Sequence, residues 1–123
     1  MIPSWLRSPL VLVLLAAPAP ALAHAILLDS FPAIGSTIAP GDVSFRLRFN
    51  SRIDHARSRL TVGTRTSQQV ILPIDTGNQP DMLKSLLTLP AGDYVLRWQV
   101  LAIDGHITRG EVPFTVRAAP AKP

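Results

Sequence analysis

The feature that most limits how this chain can fold is a repeated period of two. Val43-Ser44-Phe45-Arg46-Leu47-Arg48-Phe49 alternates apolar and polar residues without a fault, and Tyr94-Val95-Leu96-Arg97-Trp98-Gln99-Val100 places Tyr94, Leu96, Trp98 and Val100 on one face. Successive side chains of an extended strand point to opposite faces, so each run offers one face to bury and one to solvate. Val112-Pro113-Phe114-Thr115-Val116 repeats the pattern near the end, and Pro113, which cannot donate to a ladder, predicts an edge or a bulge there. Weaker strand candidates are Ala25 to Asp29, Arg59 to Val62, Gln69 to Leu72 and Met82 to Leu89, although Asp81 to Leu89 also fits a helical turn. Turn residues separate them: Pro32, Gly35, Pro40-Gly41, Gly63, Thr76-Gly77-Asn78, Pro90-Ala91-Gly92 and Gly110. About seven short strands at this spacing, with no long 3.6-residue period, predict a single all-β domain, a β-sandwich of immunoglobulin-like size.

The first two dozen residues belong to a different regime. Met1 to Arg7 carries one basic side chain, Pro9 to Ala17 is a short apolar run, and a Pro/Ala stretch ends in Ala21-Leu22-Ala23. That order reads as a secretory signal peptide over residues 1–23, with general secretion favoured because no Arg-Arg pair precedes the run. The apolar run is well short of the roughly 18 residues that span hydrocarbon, and Pro18 and Pro20 break it. Cleavage after Ala23 would leave a periplasmic chain beginning at His24. The domain is then expected over residues 24–117, with 118–123 a frayed Pro/Ala tail.

Of the charged residues the leader takes only Arg7, so the formal charge falls from +4 to +3. The basic residues are scattered along strands and lack the clustering with interleaved aromatics that nucleic-acid binding requires. A chain without cysteine excludes a disulfide scaffold, a Cys-based zinc site and a thiol nucleophile. No Ser/His/Asp constellation with a supporting motif, no paired catalytic carboxylates and no phosphate-cradling glycine loop appear. A domain of this size favours a binding module over an enzyme with a deep cleft.

The chemistry concentrates at the new N-terminus and in one loop. The free α-amine and ring Nδ1 of an N-terminal histidine close a six-membered chelate on one ion, an arrangement suited to tetragonal Cu(II). Both nitrogens must be unprotonated to bind. Asp104-Gly105-His106 places a carboxylate and an imidazole two residues apart around glycine, so that both can face one ion. With His24 they supply three nitrogens and one oxygen, a Cu(II) set. Each feature also has a plainer reading: Asp-Gly is a favoured hairpin turn, and His24 is simply the residue after a cleavage site. Their joint presence in an exported, cysteine-free domain brings the metal reading level with the plain one. His55, in the polar stretch Ser51 to Arg57, reads as a solvated loop residue. Met82 is the one methionine left after cleavage, too few for a thioether Cu(I) site.

These stretches together resemble the CopC family of bacterial periplasmic copper-binding proteins. The resemblance runs through His24-Ala25-Ile26-Leu27, Ser30-Phe31-Pro32-Ala33-Ile34-Gly35-Ser36, Ala39-Pro40, Gly92-Asp93-Tyr94 with Trp98, Asp104-Gly105-His106, and Gly110-Glu111-Val112-Pro113-Phe114. It implies a Greek-key β-sandwich or barrel of immunoglobulin or cupredoxin type. It also implies Cu(II) held by His24 (amine and ring), Asp104 and His106, and a role in copper resistance or homeostasis, often with delivery to an inner-membrane CopD-type importer. Two departures stand out. Where many members carry an acidic residue after the first long strand, this chain reads Phe49-Asn50-Ser51-Arg52, and it lacks the Met-rich Cu(I) site of other members. The alternatives are a copper monooxygenase with an N-terminal histidine chelate, which resembles this chain in that one residue, and a metal-free immunoglobulin-like envelope module.

Overall fold

The computed structural model describes residues 24–75, 77 and 79–119; the leader expected over 1–23 and the end of the tail lie outside them. Among these residues eight strands form in chain order: β1 Leu27–Phe31, β2 Thr37–Ile38, β3 Gly41–Phe49, β4 Arg59–Gly63, β5 Val70–Leu72, β6 Met82–Leu89, β7 Gly92–Leu101 and β8 Ile107–Val116, with a 3-10 turn, His55–Arg57, before β4. They build two sheets, ordered β1-β3-β6 and β2-β8-β7-β4-β5. The chain crosses between sheets five times, leaving two hairpins, β4–β5 and β7–β8, within the larger sheet. The result is the expected β-sandwich, with two open sheets and no closed barrel.

The period of two places the core. On β3, Val43, Phe45, Leu47 and Phe49 are buried while Asp42, Ser44 and Arg46 are exposed; on β7, Leu96, Trp98 and Val100 are buried. These faces meet between the sheets. Phe49 of the smaller sheet packs edge-to-face on Trp98 of the larger, with centroids 5.2 Å apart, and Phe45 meets Phe114 likewise at 6.1 Å. Aromatic pairs prefer this offset because the electron-poor ring edge faces the electron-rich ring face. Met82–Leu89 is a strand throughout, paired along β3 from Gly41↔Leu89 to Arg48↔Met82, so its helical alternative falls away.

Two expectations are corrected. The last strand starts at Ile107 rather than Val112, because Trp98 on β7 lies opposite Gly110 and its indole fills the place of the missing side chain. A Cβ on Gly110 would stand 2.8 Å from Trp98 Nε1, closer than packed atoms allow. Thr37–Ile38 adds a strand too short to show a period, pairing in parallel with Thr115–Val116. The proline expectation holds only locally: β8 lies between β2 and β7 with no bulge in its register, but β2 pairs with Thr115 and Val116 and stops short of Pro113. The Pro113 carbonyl accepts from the Gly35 N–H at 2.7 Å on the side away from β7. A strand residue's N and C=O point to the same side, so the missing N–H falls on the thinly covered edge.

Candidate metal centre

The tip of the β7–β8 hairpin is built by its own residues. Leu101 and Ile107 form the last pair, the Ala102 N–H donates to the His106 carbonyl at 2.8 Å, and the Gly105 N–H donates to the Ala102 carbonyl at 2.8 Å. A three-residue loop closed in this way needs a left-handed residue before the returning strand, and Gly105 has φ +95°. Asp-Gly is therefore a turn, as its plainer reading has it. The turn also sets Asp104 and His106 side by side. Asp104 Oδ1 accepts from the His106 backbone N–H at 3.1 Å and lies 3.3 Å from His106 Nδ1. The bond from that N–H is the main reason the Asp104 carboxyl is held below its ordinary range, with the adjacent imidazole acting in the same direction and desolvation opposing it.

The N-terminal segment is brought to this hairpin by bonds on both sides. Ala25 is buried, and its carbonyl accepts from Thr108 Oγ1 at 3.0 Å. On the other side, Asn50 Oδ1 accepts from the Ile26 N–H at 2.8 Å and the Asn50 N–H donates to the Ile26 carbonyl at 3.0 Å. Held so, His24 presents its ring to His106: the centroids are 5.2 Å apart and the planes are inclined at 70°. Both histidines and Asp104 are open to solvent, and Ile26, Ile103 and Ile107, each at least half exposed, flank them in sequence.

The structure thus brings His24 to His106 and Asp104 to His106, while among the described residues no group of three or more His, Asp and Glu side chains converges on one point. Asp104 Oδ1 is turned back on His106, and in the full chain the His24 nitrogen is an amide joined to Ala23. His55 is not gathered in; it is half-buried in the 3-10 turn, and its Nε2 lies 2.7 Å from the Met82 carbonyl, which can only accept. It is therefore more a structural residue than the solvated one expected.

Thr108 and Asn50 are the positioning residues that sequence reasoning missed. Thr108 has a signal, since a hydroxyl on the inward face of a strand needs a partner. In the sequence Asn50 marks only the place of a missing acid. Its side chain instead bonds to the N-terminal backbone.

A family model described as a CopC domain matches residues 27–117. Among solved structures, CopC from Methylosinus trichosporium superposes with a TM-score of 0.72 at 28% identity, covering 80% of this chain and 99% of that one. PcoC, a methionine-rich copper resistance protein from Escherichia coli, gives 0.62 at 26% identity, covering 77% and 100%. The protein YobA of Escherichia coli is 26% identical over 100 residues, 77% of this chain and 80% of its own. No helix among the described residues is long and apolar enough to cross a membrane.

Proposed function

This chain belongs to the CopC family, which gives it a copper-related role, and from that premise we propose that it is a periplasmic Cu(II) carrier that binds its cargo through His24, Asp104 and His106 and does not turn it over. The observation that carries the reading is the approach of the His24 and His106 rings, held by hydrogen bonds to the two residues after His24. Cleavage after Ala23 converts an amide nitrogen into an amine, and that amine with ring Nδ1 makes the six-membered chelate. One nitrogen of His106 and one oxygen of Asp104 complete a tetragonal set of three nitrogens and one oxygen, the donor set and geometry that Cu(II) favours.

The copper atom is cargo, and the residues around it are suited to holding it. A carboxylate at the ion, kept ionised by the His106 N–H, favours the divalent state, and Met82 alone cannot offer the soft thioether set that Cu(I) prefers. The same carboxylate occupies a position that an oxygen-activating copper enzyme would leave open, which favours carriage over the monooxygenase alternative. An inner-membrane CopD-type importer is the matching recipient.

The test begins with protein purified from the periplasm, its N-terminus established by mass, and titrated with Cu(II) under EPR. A one-to-one tetragonal signal with several nitrogen couplings, lost when a residue is retained ahead of His24, supports the carrier and its ligand set. No specific signal, or one indifferent to the extension, overturns it.

A further inference from the structure

Away from the hairpin tip, the outer face of the larger sheet carries an unbalanced cluster of guanidinium groups. Pairing across β4, β7 and β8 sets Arg59, Gln99 and Arg109 in one cross-strand row and Thr61, Arg97 and Glu111 in the next. Between the rows runs a groove of about 340 Å³, with Trp98 and Gly110 in its lining. Three guanidiniums line it against one carboxylate. Glu111 answers Arg97, with Oε2 3.0 Å from Nε, whereas Arg109 Nε donates to the neutral Gln99 Oε1 at 2.7 Å. Among the described residues Arg59 has no ion pair. Arg59 and Arg109 stand two strands apart, roughly 10 Å at the usual interstrand spacing.

We propose that this groove is a docking surface for an acidic polypeptide segment, two of whose carboxylates engage Arg59 and Arg109. Charge complementarity names the occupant: two guanidiniums without an anionic partner each present a planar fork that matches a carboxylate. Glu111 is an example already in place, a carboxylate lying on the third guanidinium of the same groove. The trough runs between two cross-strand rows of side chains, a shape that admits a chain laid across it. Its rows hold Arg, Thr, Gln and Glu side chains, and the Trp98 in its lining is buried with its ring packed against Phe49, leaving little aromatic face on which a base could stack, so a polypeptide fits the surface better than a nucleic acid. Arg109 lies three residues from His106 on the same hairpin, so a segment docked here reaches within about 10 Å of the tip. The inference rests on the sheet alone and stands whether or not the tip binds copper.

The probe is a short fluorescein-labelled peptide alternating Glu and Ser, with the Gln-for-Glu peptide as control, read by anisotropy at low ionic strength. The Glu peptide is expected to bind and the Gln peptide not to. Arg59→Glu with Arg109→Glu should weaken binding about tenfold or more, while Glu111→Gln, which frees Arg97, should tighten it. Cu(II) titration of the charge-reversal variant should match the parent, keeping this result separate from the tip's. Should the double reversal fail to fold, Arg59→Gln with Arg109→Gln serves in its place. Undiminished binding by a folded variant, equal binding of the Gln peptide, equal binding of an oligonucleotide of the same charge, or displacement by sulfate at matched concentration overturns the proposal.

Discussion

The rings of His24 and His106 meet edge to face, 5.2 Å between centroids, although one residue precedes the first strand and the other closes the last hairpin. Their meeting is arranged by backbone bonds to neighbours. Thr108 grips the Ala25 carbonyl and Asn50 grips both polar groups of Ile26. The candidate centre is therefore positioned from behind, by residues that do not face it.

His106→Ala removes a proposed ligand from an exposed position, with 55% of the side chain open to solvent. Cu(II) affinity should fall by orders of magnitude, while folding stability should stay within about 0.5 kcal/mol of the parent. Competition titration against a chelator, alongside urea denaturation, checks both. Unchanged affinity would remove His106 from the site.

Thr108→Val keeps the shape of the side chain and deletes its bond to the Ala25 carbonyl. That bond contributes on the order of 1 kcal/mol, and a carbonyl left without a partner costs somewhat more. The expected result is a loss of about 1–2 kcal/mol with a drop in Cu(II) affinity smaller than that of His106→Ala. A variant as stable as the parent that binds copper equally well would show that the segment is held by other means.

Gly110→Ala places a methyl group against the Trp98 indole, which must move. Overpacking of this kind costs roughly 1–3 kcal/mol. Trp98 is the one tryptophan outside the leader, so its emission in cleaved protein should shift together with the denaturation midpoint. An unshifted spectrum at parental stability would contradict the close approach.

In the metal-free protein the Asp104 carboxyl should titrate below the reference value of about 3.9, because the His106 N–H bond favours its charged form. A folded-state midpoint below the unfolded one makes the stabilising contribution complete above about pH 4, and it is lost as pH falls through the lower, folded midpoint. Carboxyl-carbon NMR across the acid range reads this directly. A midpoint at or above the reference value would refute it.

Much of this was legible because burial here follows the period of two, broken on β7 only where Val95 is buried beside Leu96. The alternating residues of β3 and β7 are the ones that pack between the sheets, and Asp104-Gly105-His106 is the hairpin tip. What escaped had physical reasons. The first half of β8 reads as a loop because the group that fills the space at Gly110 belongs to Trp98 on the neighbouring strand. β2 has too few residues to show a period and is defined by its pairing with Thr115 and Val116. Asn50 reads as an absence of acid, whereas its role depends on Ile26, which lies far from it in sequence and beside it only after folding.

The anchoring of Ala25 and Ile26 has a consequence for how long a processed chain keeps its first residue. An aminopeptidase draws the leading residues of its substrate, extended, into a cleft. Here the residues immediately behind His24 are hydrogen-bonded to Thr108 and Asn50, and Ala25 is buried. To trim the histidine, a protease would first have to peel the start of the chain away from two other parts of the domain. The fold thus shields from erosion the residue on whose α-nitrogen the proposed chelate depends.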